Sequence, residues 1–167
     1  MDHPLSILER REIEAGVLGP LVRAMAAEVG DERAGEILRG VIAELARQSG
    51  AAMARELGET TLSAFSGCLG RWSEGGALEL TVLESDDRRL DFDVTRCRYA
   101  EMYRRLGLAD LGASLSCQRD FALVEGFNPA IQLTRTQTIM QGATHCDFRF
   151  RAETGMNTHV DCADIGD

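Results

Sequence analysis

Lysine is absent from the sequence, and all 18 basic side chains are arginine. Schiff-base chemistry, which needs a lysine amine, is therefore excluded, and any fixed positive charge in a site must come from arginine or a metal ion. Acidic residues outnumber basic ones, and the formal net charge is -9. Because binding to nucleic acid requires a positive surface, we expect no nucleic-acid partner.

Long apolar runs are absent as well. No stretch approaches the roughly 18 apolar residues of a membrane span, and the N-terminal residues lack a basic leader followed by an apolar segment. We therefore expect no membrane partner and a cytoplasmic location. In that reducing compartment the five cysteines would be free thiols. They form no C-x-x-C pair, and we expect two of them, Cys68 and Cys162, to be structural or incidental.

The length of 167 residues predicts a single domain, because the chain can bury one sizeable core but hardly two. Residues 1–75 show apolar positions at helical spacing and predict three helices, the first of which should bend or split at Pro20. The alanine-rich N-terminal helices suit bundle packing, and a homodimer through them is one expectation. Residues 76–152 should mix strands with helices and carry the site. Residues 153–167 should be irregular.

Alternation of apolar and polar residues predicts two hairpins in the second half of the chain. The segments "ALELTVLE" and "RLDFDVTRC" alternate around "SDDR", and "AIQLTRTQTIM" and "HCDFRFRAE" alternate around "QGAT". Two helices, "YAEMYRRLG" and residues 108–127, lie between the hairpins. The predicted fold class is therefore α+β: N-terminal helices followed by an antiparallel sheet of about four strands, with helices packed on it.

Arg135 lies on the core-facing side of the third predicted strand, because it alternates with Ile131 and Leu133. A charge in that position is costly unless it is paired, so Arg135 should meet an acid from the protein or from a ligand. In the fourth strand, Cys146 shares a face with two phenylalanines and should point toward the helices. His145 lies on the opposite face, next to the turn.

Cys117 and Asp120 are three residues apart in a predicted helix and therefore share one face. Two interpretations are open. A thiol and a carboxylate could face the same cavity and carry chemistry, or Cys117 could be a small packing residue and Asp120 a solvated one. Tyr99 and Tyr103, four residues apart, are typical of helix packing.

Several of these residues recur together in one known family. The segment from Cys97 to Phe150 resembles the L-2-amino-thiazoline-4-carboxylic acid hydrolase family. The matching elements are Cys97 with Tyr99, the C-x-x-D of Cys117 and Asp120, the RT-x-T of Arg135, Thr136 and Thr138, and the closing G-x-x-x-C-D-F-R-F from Gly142 to Phe150. The closing motif also resembles the end of 4-vinyl-reductase-type small-molecule-binding domains.

The first resemblance implies a hydrolase that acts on the C–N unit of a small cyclic amidine carboxylate. Water would add to the C=N carbon of a thiazoline ring, and the ring would open. Such a reaction needs a nucleophile, a proton shuttle and an anchor for the substrate carboxylate. We assign these roles to Cys117, Asp120 and Arg135, respectively. The remaining substrate-binding residues would be Cys97, Tyr99, Thr138 and Cys146.

Two alternatives stay open. No cofactor is required by the assignment above, but Cys97, Cys117 and Cys146 could bind zinc with Asp120 or His145 as the fourth ligand. The domain could also be a sensor that binds a small carboxylate in the same pocket without turning it over.

Overall fold

The structure, a computed structural model, describes residues 5–153. The predicted irregular tail beyond Glu153, with Cys162, lies outside these residues. The helices are α1 (Ile7–Val29), α2 (Asp31–Leu57), α3 (Leu62–Gly67), α4 (Leu69–Ser73), α5 (Arg98–Arg105), α6 (Ala109–Gly112) and α7 (Arg119–Phe127). The strands are β1 (Leu78–Ser85), β2 (Arg89–Cys97), β3 (Ile131–Thr134) and β4 (Cys146–Ala152). Short 3₁₀ turns occupy Glu74–Gly76 and Ile139–Gln141, and a π-helical turn occupies Ala113–Cys117.

The four strands form one antiparallel sheet in the order β1-β2-β4-β3. In this sheet Phe92 of β2 lies opposite Phe148 of β4, and Val94 lies opposite Cys146. The predicted α+β class and the first predicted hairpin are therefore confirmed. Strands β3 and β4 also pair antiparallel, but only over Ile131–Thr134, so the second hairpin lacks the tight turn that the sequence predicts. Within residues 5–153, every helix is too short or too polar to cross a bilayer.

Strand β3 is shorter than predicted, because the chain leaves the sheet after Thr134. The backbone N–H groups of Thr136 and Gln137 donate to the Asp147 carboxylate, at 3.0 and 2.9 Å, instead of extending the ladder. The alternation that the sequence shows beyond this point therefore does not describe strand faces.

The helices also depart from the sequence prediction. Helix α1 continues through Pro20 as one element, so the expected split does not occur. The predicted third helix consists of α3, α4 and a 3₁₀ turn, and the predicted helix over residues 108–127 consists of α6, the π turn and α7. In the π turn the Gln118 N–H donates to the Ala113 carbonyl at 3.0 Å, one residue further back than in an α-helix.

Aromatic side chains fill the core between the sheet and the helices. Phe92 and Phe148 stack with their ring centroids 4.8 Å apart, and Phe150 and Phe127 each lie within 5.3 Å of Phe65 in α3. Cys146 is buried in the same cluster, on the helix-facing side of β4, as predicted. This face of the sheet forms the floor of the candidate site.

Helix α7 packs directly on the backbone of α2 through two glycines. A Cβ atom added to Gly50 would lie 2.0 Å from the Leu123 carbonyl oxygen, and one added to Gly126 would lie 2.1 Å from the Arg47 carbonyl oxygen. No side chain fits at either position. This contact fixes the distance of α7 from α2.

Helices α1 and α2 leave large apolar side chains exposed at four-residue intervals. These side chains are Ile13, Val17 and Leu21 of α1 and Ile37, Val41 and Leu45 of α2. We call these six residues the N-terminal apolar face. Scattered exposed apolar residues are normal, but a face built from two adjacent helices is typical of an interface. Because two antiparallel helices can pack on a two-fold-related copy as a four-helix arrangement, the face suits the predicted homodimer.

We predict that Gly50→Ala destabilises the protein by about 1–3 kcal/mol or more, because the added methyl group must push α7 away from α2. The measurement is chemical denaturation monitored by circular dichroism. Gly40 is the matched control, because it lies in the same helix with nothing within 4 Å of its added Cβ. Gly40→Ala should leave stability unchanged or raise it by about 0.5–1 kcal/mol. Equal effects at the two positions would contradict the proposed backbone contact.

We also predict that the chain dimerises through the N-terminal apolar face. Val17→Glu, at a side chain 66% exposed, should shift the mass measured by analytical ultracentrifugation from dimer to monomer without loss of helicity. Val82→Glu in the edge strand β1, at a site 49% exposed, should leave the mass unchanged. A monomeric wild-type chain, or a dimer insensitive to Val17→Glu, would contradict the prediction.

Candidate functional site

A cavity of about 130 Å³ lies between the inner face of the sheet and the helices. Its volume is close to the roughly 150 Å³ of cavities that accommodate one small aromatic ring. The residues that line it come from α1, α2, α3, α4, α5, the four strands or their ends, the π turn and α7. The cavity therefore lies where the helical and sheet layers meet.

Most of the cavity wall is apolar. Its aromatic part consists of Phe65, Trp72, Phe92, Phe148 and Phe150. An apolar, largely pre-formed cavity with a few polar groups at one side is the usual form of a small-molecule site.

The polar part of the cavity lies at the junction of the π turn and α7. Ser116, Cys117, Arg119 and Asp120 all line the cavity there. The predicted sharing of one cavity by Cys117 and Asp120 agrees with this geometry. A π turn at this position is notable, because such turns are frequent at functional sites.

Arg135 and Asp120 form an ion pair at the polar end of the cavity. Arg135 also donates from Nη2 to the Cys117 carbonyl at 2.8 Å, and its guanidinium lies 5.1 and 5.0 Å from the ring centroids of Phe121 and Phe148. The Arg135 side chain is only 6% exposed. The prediction that Arg135 must meet an acid is confirmed, and the acid is Asp120.

Burial raises the pKa of Asp120 above its ordinary value, although the charge of Arg135 opposes the rise. About a third of the Asp120 side-chain surface is still accessible, at 37%. A carboxyl group with a raised pKa is suited to exchanging protons near neutral pH.

The three cysteines at the cavity are held as neutral thiols. Burial, with a contribution from the Asp120 charge, raises the pKa of Cys117 to about 12. Burial also raises the pKa of Cys97 to about 11 and raises the pKa of Cys146. Cys97 and Cys146 accept backbone N–H groups, from Ala100 at 3.4 Å and from Ile139 at 3.2 Å. A thiolate is therefore not the resting form of any of these three residues.

Tyr99 lines the cavity, and its role as a binding residue stays a prediction. Its hydroxyl donates to the Trp72 carbonyl at 3.3 Å, and burial raises its pKa to about 12. Tyr103 is buried in a separate core between α1, α2 and α5, where it packs as expected.

Thr138 and His145 are not among the cavity-lining residues of the described chain. Thr138 caps the 3₁₀ turn, where its hydroxyl accepts the Gln141 N–H at 3.2 Å. His145 contacts Gln137 and Thr144 beside the turn. The RT-x-T resemblance selects Thr138, and the structure places it at the 3₁₀ turn instead of in the cavity wall. His145 lies beside the turn, as the sequence predicted.

The zinc hypothesis receives no geometric support from the described residues. Within residues 5–153, no three His, Cys, Asp or Glu side chains are arranged to hold one metal ion. The hypothesis stays a prediction that metal analysis of the purified protein would test.

Two arginines that the sequence analysis did not select also line the cavity, Arg11 of α1 and Arg119 of α7. Both donate to the carboxylate of Glu14, Arg11 at 2.8 Å and Arg119 at 2.9 Å. The Arg119 Nε also donates to the Leu115 carbonyl at 2.8 Å. The sequence shows Arg11 and Glu14 as an i,i+3 pair in one helix. No sequence pattern indicates that Arg119 contacts the same carboxylate.

A family model described as L-2-amino-thiazoline-4-carboxylic acid hydrolase matches residues 10–150. The chain belongs to this family. The match includes the N-terminal helices as well as the segment that carries the sequence resemblance. No curated protein matches the chain.

Two solved structures are similar in fold. One is a trafficking protein particle complex subunit 3 from Naegleria fowleri, covalently bound to palmitic acid. It shares 9% sequence identity with this chain at a TM-score of 0.51, and the alignment covers 86% of this chain and 95% of that one. The phenol-responsive sensory domain of the transcription activator PoxR, solved with phenol, shares 17% identity at a TM-score of 0.47 and covers 81% and 72%, respectively. At these identities the likeness to the trafficking subunit concerns the fold alone, and the likeness to the sensory domain supports no conclusion.

We predict that Asp120→Asn speeds alkylation of Cys117 at pH 8–9, because the Asp120 charge contributes to the raised pKa of that thiol. Each unit by which the pKa falls multiplies the thiolate fraction by about ten. The measurement is the rate of iodoacetamide labelling of Cys117, followed by peptide mass spectrometry. Asp110→Asn is the control, because Asp110 is an exposed acid paired with Arg23. An unchanged Cys117 rate would show that the two groups do not share an electrostatic environment.

Proposed function

We propose that the protein is a hydrolase that opens a small cyclic amidine carboxylate of the thiazoline type. The observation that carries the proposal is that Cys117 and Asp120 line the polar end of one cavity. A carboxyl group with a raised pKa thus lies beside a candidate nucleophile. Membership of the family supports the same activity, and the cavity volume suits a single small ring.

Asp120 is proposed to accept and return protons. Because the pKa of Cys117 is about 12, its thiol must lose a proton while it attacks, and Asp120 is the proposed acceptor. The Cys117 sulfur bonds to the C=N carbon, and the proton passes from Asp120 to the ring nitrogen. The bond between that carbon and the ring sulfur then breaks, and the ring sulfur takes a proton.

Water completes the reaction by adding to the same carbon, and the bond to the Cys117 sulfur breaks. The water oxygen becomes the carbonyl oxygen of a carbamoyl group. Its two hydrogens finish on the former ring nitrogen and ring sulfur, and the Cys117 thiol is restored. The C=N bond is hydrated, whereas the single bond that opens a thiazoline ring is its C–S bond.

Arg135 is proposed first of all to hold Asp120 in place. Its Nη1 and Nη2 groups already donate to Asp120 and to the Cys117 carbonyl. A two-pronged contact from Arg135 to a substrate carboxylate would therefore compete with both. The anchor role that the sequence assigned to Arg135 stays a prediction, and Cys97, Tyr99 and Cys146 are proposed to shape the cavity.

A binding domain without turnover is the second candidate, and the neutral thiols favour it. A sensor needs a closed apolar cavity but no thiolate. Incubation with a thiazoline carboxylate separates the two functions, because a sensor returns its ligand with unchanged mass and a hydrolase returns it heavier by one water.

We predict that Cys117→Ser and Asp120→Asn each lower kcat by about 10²–10⁴-fold on a thiazoline carboxylate, because each removes a group from the reaction itself. Steady-state kinetics with detection of the released thiol would measure this. The matched control is Cys97→Ser, which changes a cavity thiol that caps α5, a role that serine also fills. Full turnover by both Cys117→Ser and Asp120→Asn would refute the assignment.

The same kinetics should depend on pH through Asp120. The reaction requires its ionised form, and burial raises its pKa. Activity should therefore fall as the pH decreases through a value above the ordinary carboxyl range of about 4.

A further inference from the structure

Arg135 is occupied by the protein itself, so a ligand carboxylate needs another cation. Among the cavity-lining residues that the structure describes, the arginines are Arg11, Arg119 and Arg135, and Asp120 is the one acid. The Arg135–Asp120 pair is neutral as a unit.

Arg11 and Arg119 share a single counter-ion. The carboxylate of Glu14 accepts from Arg11 Nη1 with both oxygens at 2.8 Å and from Arg119 Nη2 at 2.9 Å. Two positive charges thus meet one negative charge, which leaves one positive charge uncompensated in the group. Consistent with this excess, burial and the neighbouring Arg11 lower the pKa of Arg119.

Both arginines keep donors free. Within residues 5–153, Arg11 Nε and Nη2 and Arg119 Nη1 donate to no protein group. The side chains are nevertheless well shielded from solvent, at 20% exposed for Arg11 and 10% for Arg119. A shielded guanidinium with unused donors favours an anion, because carboxylates match its forked geometry.

We propose that Arg11 and Arg119, bridged by Glu14, form an anion subsite that binds the carboxylate of a small monoanionic ligand whose apolar ring lies in the aromatic part of the cavity. The inference rests on the proposed function only in taking the ligand to be a small carboxylate. The single uncompensated charge selects one negative charge on the ligand. Arg119 lies between Cys117 and Asp120 in the sequence, so the anchor and the reacting groups share one short segment.

The chain contains its own reporter for this binding. Trp72 is the only tryptophan in the sequence, and it lines the cavity. Benzoate is a suitable probe, and benzamide is its neutral counterpart of nearly the same shape. We expect the fluorescence of Trp72 to saturate with benzoate and to show binding at least about tenfold weaker for benzamide.

Two substitutions in the subsite should act in opposite directions. Arg11→Gln removes one positive charge and should weaken benzoate binding about tenfold, whereas Glu14→Gln removes the counter-ion and should tighten it by a similar factor. Neither should change the affinity for benzamide. If Arg11 and Glu14 acted only in the structure, both substitutions would loosen the cavity and weaken both probes. Arg119 is left unchanged in these tests, because its Nε donates to the Leu115 carbonyl and a substitution would also remove that hydrogen bond.

A matched pair of controls lies in α2. Arg33 and Glu36 form an i,i+3 ion pair like that of Arg11 and Glu14, but their side chains are 65% and 49% exposed and do not line the cavity. Arg33→Gln and Glu36→Gln should leave benzoate affinity unchanged, and circular dichroism would check the folding of all four variants.

The proposal is overturned if benzoate fails to saturate the signal, if benzamide binds equally well, or if Glu14→Gln does not tighten benzoate. It is also overturned if substitution of Arg135 weakens benzoate binding and substitution of Arg11 does not. Charge-dependent binding without turnover of any thiazoline carboxylate would refute the proposed hydrolase and leave the anion subsite established. Turnover of a thiazoline carboxylate, together with equal binding of benzoate and benzamide, would support the proposed hydrolase and refute the anion subsite.

Discussion

The buried pair of Arg135 and Asp120 is the interaction on which the polar end of the cavity depends. It joins the end of β3 to α7, and through the Cys117 carbonyl it also holds the π turn. Arg135 is 6% exposed and lies against two aromatic rings, so loss of Asp120 would leave a shielded positive charge without a carboxylate counter-ion. Breaking one half of a fully buried pair costs about 3–5 kcal/mol, and we expect a smaller cost here because the Asp120 side chain is 37% exposed. The arrangement of the candidate groups is therefore tied to the stability of the fold.

Helix α7 is fixed from two sides, and this explains how a short helix can position chemical groups. On one side Gly50 and Gly126 bring its backbone against α2. On the other side Arg135 ties Asp120 to the strand layer. Between these two restraints lies the aromatic cavity, whose walls need only be apolar and of suitable volume. The polar groups thus have defined positions at one end of an apolar cavity.

Sequence reasoning reached the parts of this site that local periodicity controls. Alternation placed Cys146 on the inner face of the sheet, and helical spacing brought Cys117 and Asp120 to one side. Alternation also selected Arg135, whose side chain lines the cavity although the residue follows the end of β3. The resemblance selected Thr138, which does not line the cavity. The chain leaves the sheet at Thr134, where the Asp147 carboxylate accepts the next backbone N–H groups, and no local pattern predicts this turn. The π turn has no periodic signal in a sequence. The contact of Glu14 with Arg119 spans 105 residues, and only the tertiary fold brings them together.

The charges of the cavity also suggest how binding and chemistry are coupled. The positive charges of Arg11 and Arg119 act on Asp120 to lower its pKa, against the larger effect of burial. A carboxylate bound to these arginines would neutralise that effect and exclude water. The pKa of Asp120 would then rise further, and its carboxylate would accept a proton more readily. On the proposed function, the empty site is held inactive by its neutral Cys117 thiol, and the ligand's own charge strengthens the base that must deprotonate it.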